Sequence, residues 1–395
     1  MSTLRQAQPA TSDGAPTRLI SLPLALTFLA EFTSLTSFFL LLSVMPMLAA
    51  AAGAGSSGAG LITGSLLLGT VAAEAAAAAG IRRFGYRAML AAGAVLLGAP
   101  TLALLPREPQ AVMMVVSFVR GLGFGLCGVT IGALTATLLP PGRRGEGFGL
   151  LGVVSGVPAV VALPAGVWLA GHHLATAVAA MAVAAGLLPL AAIRWLPSRG
   201  GPHRTPPAAR TRRSPGAALR LPLIFAAATI AAGVLDSFLP LAKGVPSNLS
   251  SAALLIQAIT ATLSRWQAGR HGDRYGHARL LIPALIVASL GMAAMMGLAS
   301  PALIFASMVL FGAGFGVIES ATFALLIEQL PEAKASTQWN LAYDAGYGAG
   351  PAVFGLFAAR TGYPAAFALT GIVVLAVLPA ALRERKGTAS TARPV

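Results

Sequence analysis

The chain has 395 residues, of which 56% are hydrophobic and only 10% charged, with a mean hydropathy of +0.79. A water-soluble chain carries about 25% charged residues, so this one lacks the polar surface to cover a globule, and its missing solvent is lipid. The formal net charge of +15 is compatible with nucleic-acid binding in a soluble protein, but here the basic residues follow membrane topology, which excludes a nucleic-acid partner.

Windows of about 20 apolar residues, each long enough to cross a ~30 Å hydrocarbon core, recur along the chain. Twelve spans are predicted, at 20–48, 58–80, 88–106, 111–138, 147–170, 174–195, 220–242, 251–268, 280–299, 302–329, 336–359 and 364–382. The first is long and has no small-residue cleavage site, so it reads as a retained span and not as a signal peptide. Of the 27 Lys and Arg residues, 22 fall in the N-terminal segment, in the loops after spans 2, 4, 6, 8 and 10, or in the C-terminal tail. Arg107, Lys243 and Arg360 fall in the opposite loops, and Arg120 and Arg265 within spans. That asymmetry is the positive-inside bias and places both termini in the cytoplasm. Arginine outnumbers lysine 24 to 3 and alanine and glycine abound, a bias that fits a bacterium with a GC-rich genome and hence its inner membrane. Cys127, alone and inside span 4, excludes a disulfide or a thiolate metal cluster.

Between spans 6 and 7 lies PSRGGPHRTPPAARTRRSPGAA (197–218). With no apolar residues to bury, it reads as a flexible cytoplasmic linker over 197–219. It divides the chain into six-span bundles at 1–196 and 220–395. The halves resemble each other at a constant offset of 191 residues: RFG (83–85) falls on RYG (274–276), GFG (123–125) on GFG (314–316), and Pro140 on Pro331. Such a register points to a duplication with a pseudo-two-fold axis along the membrane normal.

The segment GRHGDRYGHAR (269–279) joins spans 8 and 9 and matches GIRRFGYR (80–87) in the first half. With Gly269, Asp273, Arg274, Gly276 and Arg279 at fixed spacing, it resembles the signature loop of the major facilitator superfamily. Arg83 and Gly85 carry the resemblance in the first half, where Arg82 stands at the acidic position and Ala78 at the leading glycine. The glycines suit a tight turn, and Asp273 suits a helix N-terminus or an arginine of the other half. RGLGFG (120–125) resembles the family's conserved-arginine motif. GVVSGVPAVVALPAG (152–166), with Gly156 and Pro158, resembles its antiporter motif, the proline standing two residues after Gly156 instead of one. The resemblance implies an all-α membrane protein of twelve helices in two six-helix bundles, acting by alternating access, with spans 1, 4, 7 and 10 lining a central cavity.

Ionisable groups inside a bilayer are costly and mark function by default. They are Glu31 in span 1, Glu74 in span 2, Arg120 in span 4, Asp236 in span 7, Arg265 in span 8, Glu319 in span 10 and Asp344 in span 11. Spans 1, 4, 7 and 10 each carry one. Five acids against two arginines favour an interior in which one or more acids hold a proton, as proton coupling requires. Glu31 and Asp236 lead as proton carriers, followed by Glu319 and Asp344, with Arg120 able to pair with Glu31 or Glu74. Glu74 and Arg265 read as gating or structural groups, Arg265 neutralising Glu319 or Asp344. Thr33, Ser37 and Phe38 in span 1, and Trp339, Asn340, Tyr343 and Tyr347 in span 11, offer hydroxyls and rings to a substrate cavity, with cation–π contact available.

Metal binding is not expected: His271 and His277 lie in the loop after span 8, His172 and His173 in an outer loop, His203 in the linker, and Met292, Met295 and Met296 read as lipid-facing or packing residues. No phosphate-cradling loop with a following Lys-Ser or Lys-Thr occurs, so ATP is not an expected energy source. No cofactor and no enzymatic activity are expected. The expectation is proton-coupled efflux of a small amphipathic or cationic organic compound, such as a drug or natural product, by a monomer. The alternatives are proton-coupled uptake of a nutrient and a receptor or assembly factor on the same scaffold.

Overall fold

The structure is a computed structural model, and it describes residues 20–103, 109–140, 143–198, 219–330 and 332–391. Most of the linker, together with Pro331, Arg107 and the first 19 residues, lies outside them. Among the described residues the regular structure is helical. The helices of the first half are α1 (Leu22–Leu42), α2 (Val44–Ala51), α3 (Gly55–Gly98), α4 (Gln110–Leu138), α5 (Arg144–Gly171), α6 (Ala175–Leu187) and α7 (Pro189–Ala192). The second half continues with α8 (Arg220–Phe238), α9 (Ser247–Tyr275), α10 (Leu281–Ala294), α11 (Pro301–Gln329), α12 (Glu332–Thr361), α13 (Tyr363–Ala376) and α14 (Leu378–Thr391).

Local chemistry sets several boundaries. Ser21 and Ser300 cap α1 and α11, each accepting a backbone N–H at 3.4 Å, with a proline inside the first turn. Span 1 breaks at Ser43 into α1 and α2. Nine helical segments of the described residues are long and apolar enough to cross a membrane. One of them, Gly55–Ala103, is interrupted at Gly85, whose φ of 82° is non-helical. α9 and α12 have 29 and 30 residues, about 43 Å or more at 1.5 Å per residue, but polar and charged side chains interrupt their apolar character.

The structure corrects the reading of the signature loops. Residues 269–275 are not a turn but the last two turns of α9, which stops only at Gly276 (φ 90°). Likewise 80–84 stay helical up to Gly85. Gly85 and Gly276 stand 191 residues apart, and at both an L side chain would be strained. Gly269 is helical, with open room around it, and makes no turn.

The same offset governs helix packing. A Cβ on Gly121 would lie 1.8 Å from Leu66 O, and one on Gly312 would lie 2.6 Å from Gln257 O. Gly125 abuts Thr70 O and Gly316 abuts Ala261 O, while Gly123 abuts Gly93 O and Gly314 abuts Ala284 O. Each partner in the second half is 191 residues beyond its counterpart in the first. Small residues let these helices approach to backbone contact, as in membranes generally.

Successive spans alternate direction, so the breaks at Gly85 and Gly276 share one end with most of the described basic residues, here termed the basic end. At the far end the two halves meet closely. Ser56 and Ser57 hydroxyls donate to Gly355 O at 3.0 and 3.3 Å. Gly60 faces Pro351 O, Gly64 faces Ala352, and Gly171 faces Ser247. Thr63 and Ser237 hydroxyls meet at 3.0 Å, and Ser43 Oγ donates to the main-chain oxygen of Asp236.

Candidate functional site

Below these contacts a cavity of about 80 Å³ lies between the halves. Its first-half wall is apolar: Phe39 from α1, and Gly156, Ala159, Val160 and Leu163 from α5. Its second-half wall carries the polar groups, Asp236 from α8, Gln257, Thr262 and Arg265 from α9, Glu319 from α11, and Tyr343 and Tyr347 from α12, set among Ala232, Ala258, Ala261 and Phe315. Pockets that enclose a drug-sized ligand hold about 300–1,000 Å³, so this conformation has room for little beyond a few waters or a small head group. A second crease of about 140 Å³ between α10 and α13 is apolar except for Ser289, whose hydroxyl is given to Gly371 O. It lies away from the charged residues.

Asp236 is 5% exposed. The Tyr347 hydroxyl donates to its Oδ2, and its Oδ1 is buried without a hydrogen-bond partner. An unpaired buried acceptor is expensive, so this oxygen is the cavity's open valence. Beside it Arg265 Nη2 pairs with Glu319 Oε2 at 2.8 Å, joining α9 to α11 and leaving no net charge. Gln257 and Arg265 are eight residues apart, two turns on one face of α9, and that spacing was the available signal for Gln257, which the sequence reading missed along with Thr262 and Ser155.

Tyr347, Tyr343 and Trp339 stack along one face of α12 at centroid distances of 5.3 and 6.0 Å, and Phe225 stacks on Trp339 at 4.5 Å. The rings cover one another's faces, so the expected cation–π role has little free face to work with; they supply apolar flank and hydroxyls. Asn340 is exposed. Pro351, inside α12, cannot donate to Tyr347 O, and that carbonyl packs against Gly233 of α8.

The first-half residues lie elsewhere. Ser155 Oγ donates to Glu31 Oε1 at 2.8 Å, tying α1 to α5. Arg120, 2% exposed, gives one nitrogen to Leu97 O at 2.8 Å and to Thr101 Oγ1, and another to Ser37 O at 2.9 Å. Among the described residues it forms no ion pair, so the expected pairing with Glu31 or Glu74 is replaced by three oxygens that staple α4 to α1 and to the end of α3. Neither Glu31 nor Arg120 lines the cavity; of the four spans expected to line it, spans 7 and 10 bring their charges to it. Thr33 and Ser37 are satisfied by main-chain oxygens at 3.3 and 2.7 Å, and Phe38 stacks on Phe124 at 4.1 Å, so all three belong to the packing of the first half.

Glu74 of α3 and Asp344 of α12 face each other across the halves with their carboxyls within hydrogen-bond reach. A carboxyl–carboxyl hydrogen bond requires a proton on one partner. At the basic end Asp273, 77% exposed, pairs with His277 at 3.7 Å, and among the described residues it forms no ion pair with an arginine. Arg83 sits over Phe84, Arg274 is exposed, and Pro158 is buried in α5 beside the cavity-lining Gly156. Among the described residues no group of three His, Cys, Asp or Glu is placed to hold a metal.

The fold has solved relatives. The nucleoside transporter NupG superposes with a TM-score of 0.70 at 13% identity, covering 92% of this chain and 99% of that one. A peptide transporter, POT, in complex with sulfate, superposes with a TM-score of 0.72 at 18% identity, covering 91% and 93%. No curated protein sequence matches the chain. The family model described as Major Facilitator Superfamily matches residues 27–342. With four-fifths of its length under that match and a multi-pass helical membrane architecture, the chain is a non-enzymatic transporter and belongs to the major facilitator superfamily.

Proposed function

We propose that the protein is a proton-coupled efflux transporter for a small amphipathic or cationic organic compound, of the bacterial drug and natural-product type. It works as a monomer in the inner membrane with both termini in the cytoplasm. The nine apolar segments, the split at Gly85 and the two polar-interrupted helices α9 and α12 amount to twelve spans, in bundles at 1–196 and 220–395 joined by the 197–219 linker. The observation that carries the reading is the cavity between the bundles, apolar on one wall, with the unpaired Asp236 Oδ1 on the other. An acid with an open valence suits a proton or a cationic head, and the apolar wall suits a hydrophobic body. The close contacts at the far end then correspond to a state shut toward the outside.

The test is accumulation of a cationic dye in a sensitised bacterium overexpressing the protein. Lower accumulation, restored by a proton uncoupler, is expected. If accumulation rises with expression and the uncoupler abolishes that rise, the direction is inward. Uptake is the second reading, favoured because the two solved relatives are transporters of nucleosides and peptides; concentrative accumulation of a labelled nucleoside or dipeptide supports it.

A further inference from the structure

The 191-residue offset brings the same two positions together at the basic end of each half, with different chemistry. In the first half the Tyr86 hydroxyl lies 3.4 Å from Thr137 Oγ1. Their counterparts, His277 and Glu328, also meet, Nδ1 to Oε1 at 3.6 Å. A second carboxylate joins them, because Asp273, the counterpart of Arg82, places Oδ1 3.7 Å from His277 Nε2. His277 is buried at 8% exposure, while the Asp273 and Glu328 side chains are 77% and 57% exposed. Gly272 makes the seat for the ring: a Cβ there would come within 2.2 Å of it.

Both ring nitrogens therefore face a carboxylate oxygen. A neutral imidazole has one N–H, so one of its nitrogens turns a lone pair toward an anion; only the imidazolium can donate on both sides. Charged, the ring ties the end of α9 and the following turn to the end of α11. The same turn is held by three main-chain bonds, Gly276 N–H to Gly272 O at 2.7 Å, Arg279 N–H to Gly276 O at 3.3 Å and Leu280 N–H to His277 O at 3.1 Å.

We propose that His277 is a proton-sensing clamp at the basic end of the second half, fastening the α9–α10 turn to α11 when the ring is charged and releasing it when neutral. The first half keeps the same contact in an uncharged form, through Tyr86 and Thr137. The clamp is separate from the cavity and goes beyond the transport reading. The other titratable groups on the elements around the turn are Arg265, Arg270, His271, Arg274 and Tyr275 on α9, Arg279 in the turn, Glu319 on α11, and Arg383, Glu384, Arg385 and Lys386 on α14; α10 carries none. Of these, Glu384 is engaged by Gln329 at 2.5 Å and lies 4.0 Å from Arg220.

The test is amide hydrogen exchange of the purified full-length protein at pH 5.5 and 8.0, corrected for intrinsic exchange. Amides 276–280 of the wild type should exchange on the order of threefold more slowly at pH 5.5, the scale of partly exposed ion pairs. His277→Gln should remove that pH dependence. The double variant His277→Tyr/Glu328→Thr, which installs the first-half pair, should show protection that does not change between the two pH values. If either variant keeps the wild-type pH dependence, or the wild type shows none, the clamp is refuted. The double variant decides the matter should His277→Gln fail to fold, and the readout does not depend on any transport activity.

Discussion

At the scale of single residues, two buried charges have opposite roles in the geometry. Arg120 donates to three oxygens of its own half, which makes it a staple between α1, α3 and α4. Arg120→Ala leaves those acceptors unpaired around a void and should destabilise the protein by about 3 kcal/mol. Arg120→Lys, with no planar fork to reach three acceptors, should fall between. Thermal unfolding in detergent checks the order; equal midpoints for all three proteins would remove the staple. Asp236, by contrast, keeps an oxygen free beside a cavity. Asp236→Asn retains an acceptor for the Tyr347 hydroxyl but loses the charge, and Glu31→Gln retains an acceptor for Ser155. Each should express normally and lower concentrative transport at least tenfold, read as initial rates in reconstituted vesicles. Full activity in both variants would remove these acids from the coupling.

At the scale of elements, the glycine register of α4 and α11 is the strongest link between sequence and fold. Gly121→Ala would drive a Cβ to 1.8 Å from Leu66 O, so α3 and α4 must separate; a loss of about 3 kcal/mol or more, seen as failed expression or a collapsed unfolding midpoint, is expected. Gly128, seven residues on, has open space at its Cβ position, and Gly128→Ala should stay within about 0.5 kcal/mol of wild type. Similar losses at the two positions would mean that close approach does not explain the motif. GFG at 123–125 and 314–316 was readable from sequence because a fixed offset needs no tertiary knowledge. The turn at 269–279 was misplaced for the opposite reason: charge density suggested a loop, while helix continues wherever side chains reach water, and only Gly276, with its positive φ, ends it. The partners of Arg120 and of Phe38 were not legible either. Main-chain oxygens and a packed ring at another helix are set by the depth at which helices cross, which hydropathy does not encode.

At the scale of the whole molecule, the far end and the basic end differ in how the halves meet. Hydrogen bonds and glycine contacts between α3 and α12 run from Ser56 and Gly355 through Gly64 and Ala352 to Leu67 and Gly348. A turn or two deeper, Glu74 and Asp344 bring carboxyls together where small residues give way to acids that tolerate contact only with a shared proton. An 80 Å³ cavity cannot admit a drug-sized molecule, so any cargo of that size requires these two helices to part. A Cβ on Gly64 would stand 3.1 Å from Ala352 Cβ, a little inside the ~3.8 Å typical of a disulfide. Gly64→Cys with Ala352→Cys should therefore cross-link on oxidation with a small local shift. The native Cys127 is buried in α4. The oxidised protein should lose transport and the reduced protein should regain it, because a bond across the far end forbids the outward-open state while leaving each half intact. Transport at the reduced rate in fully cross-linked protein would mean that cargo crosses without separation of α3 from α12, and the two-bundle rocking mechanism would fall with it.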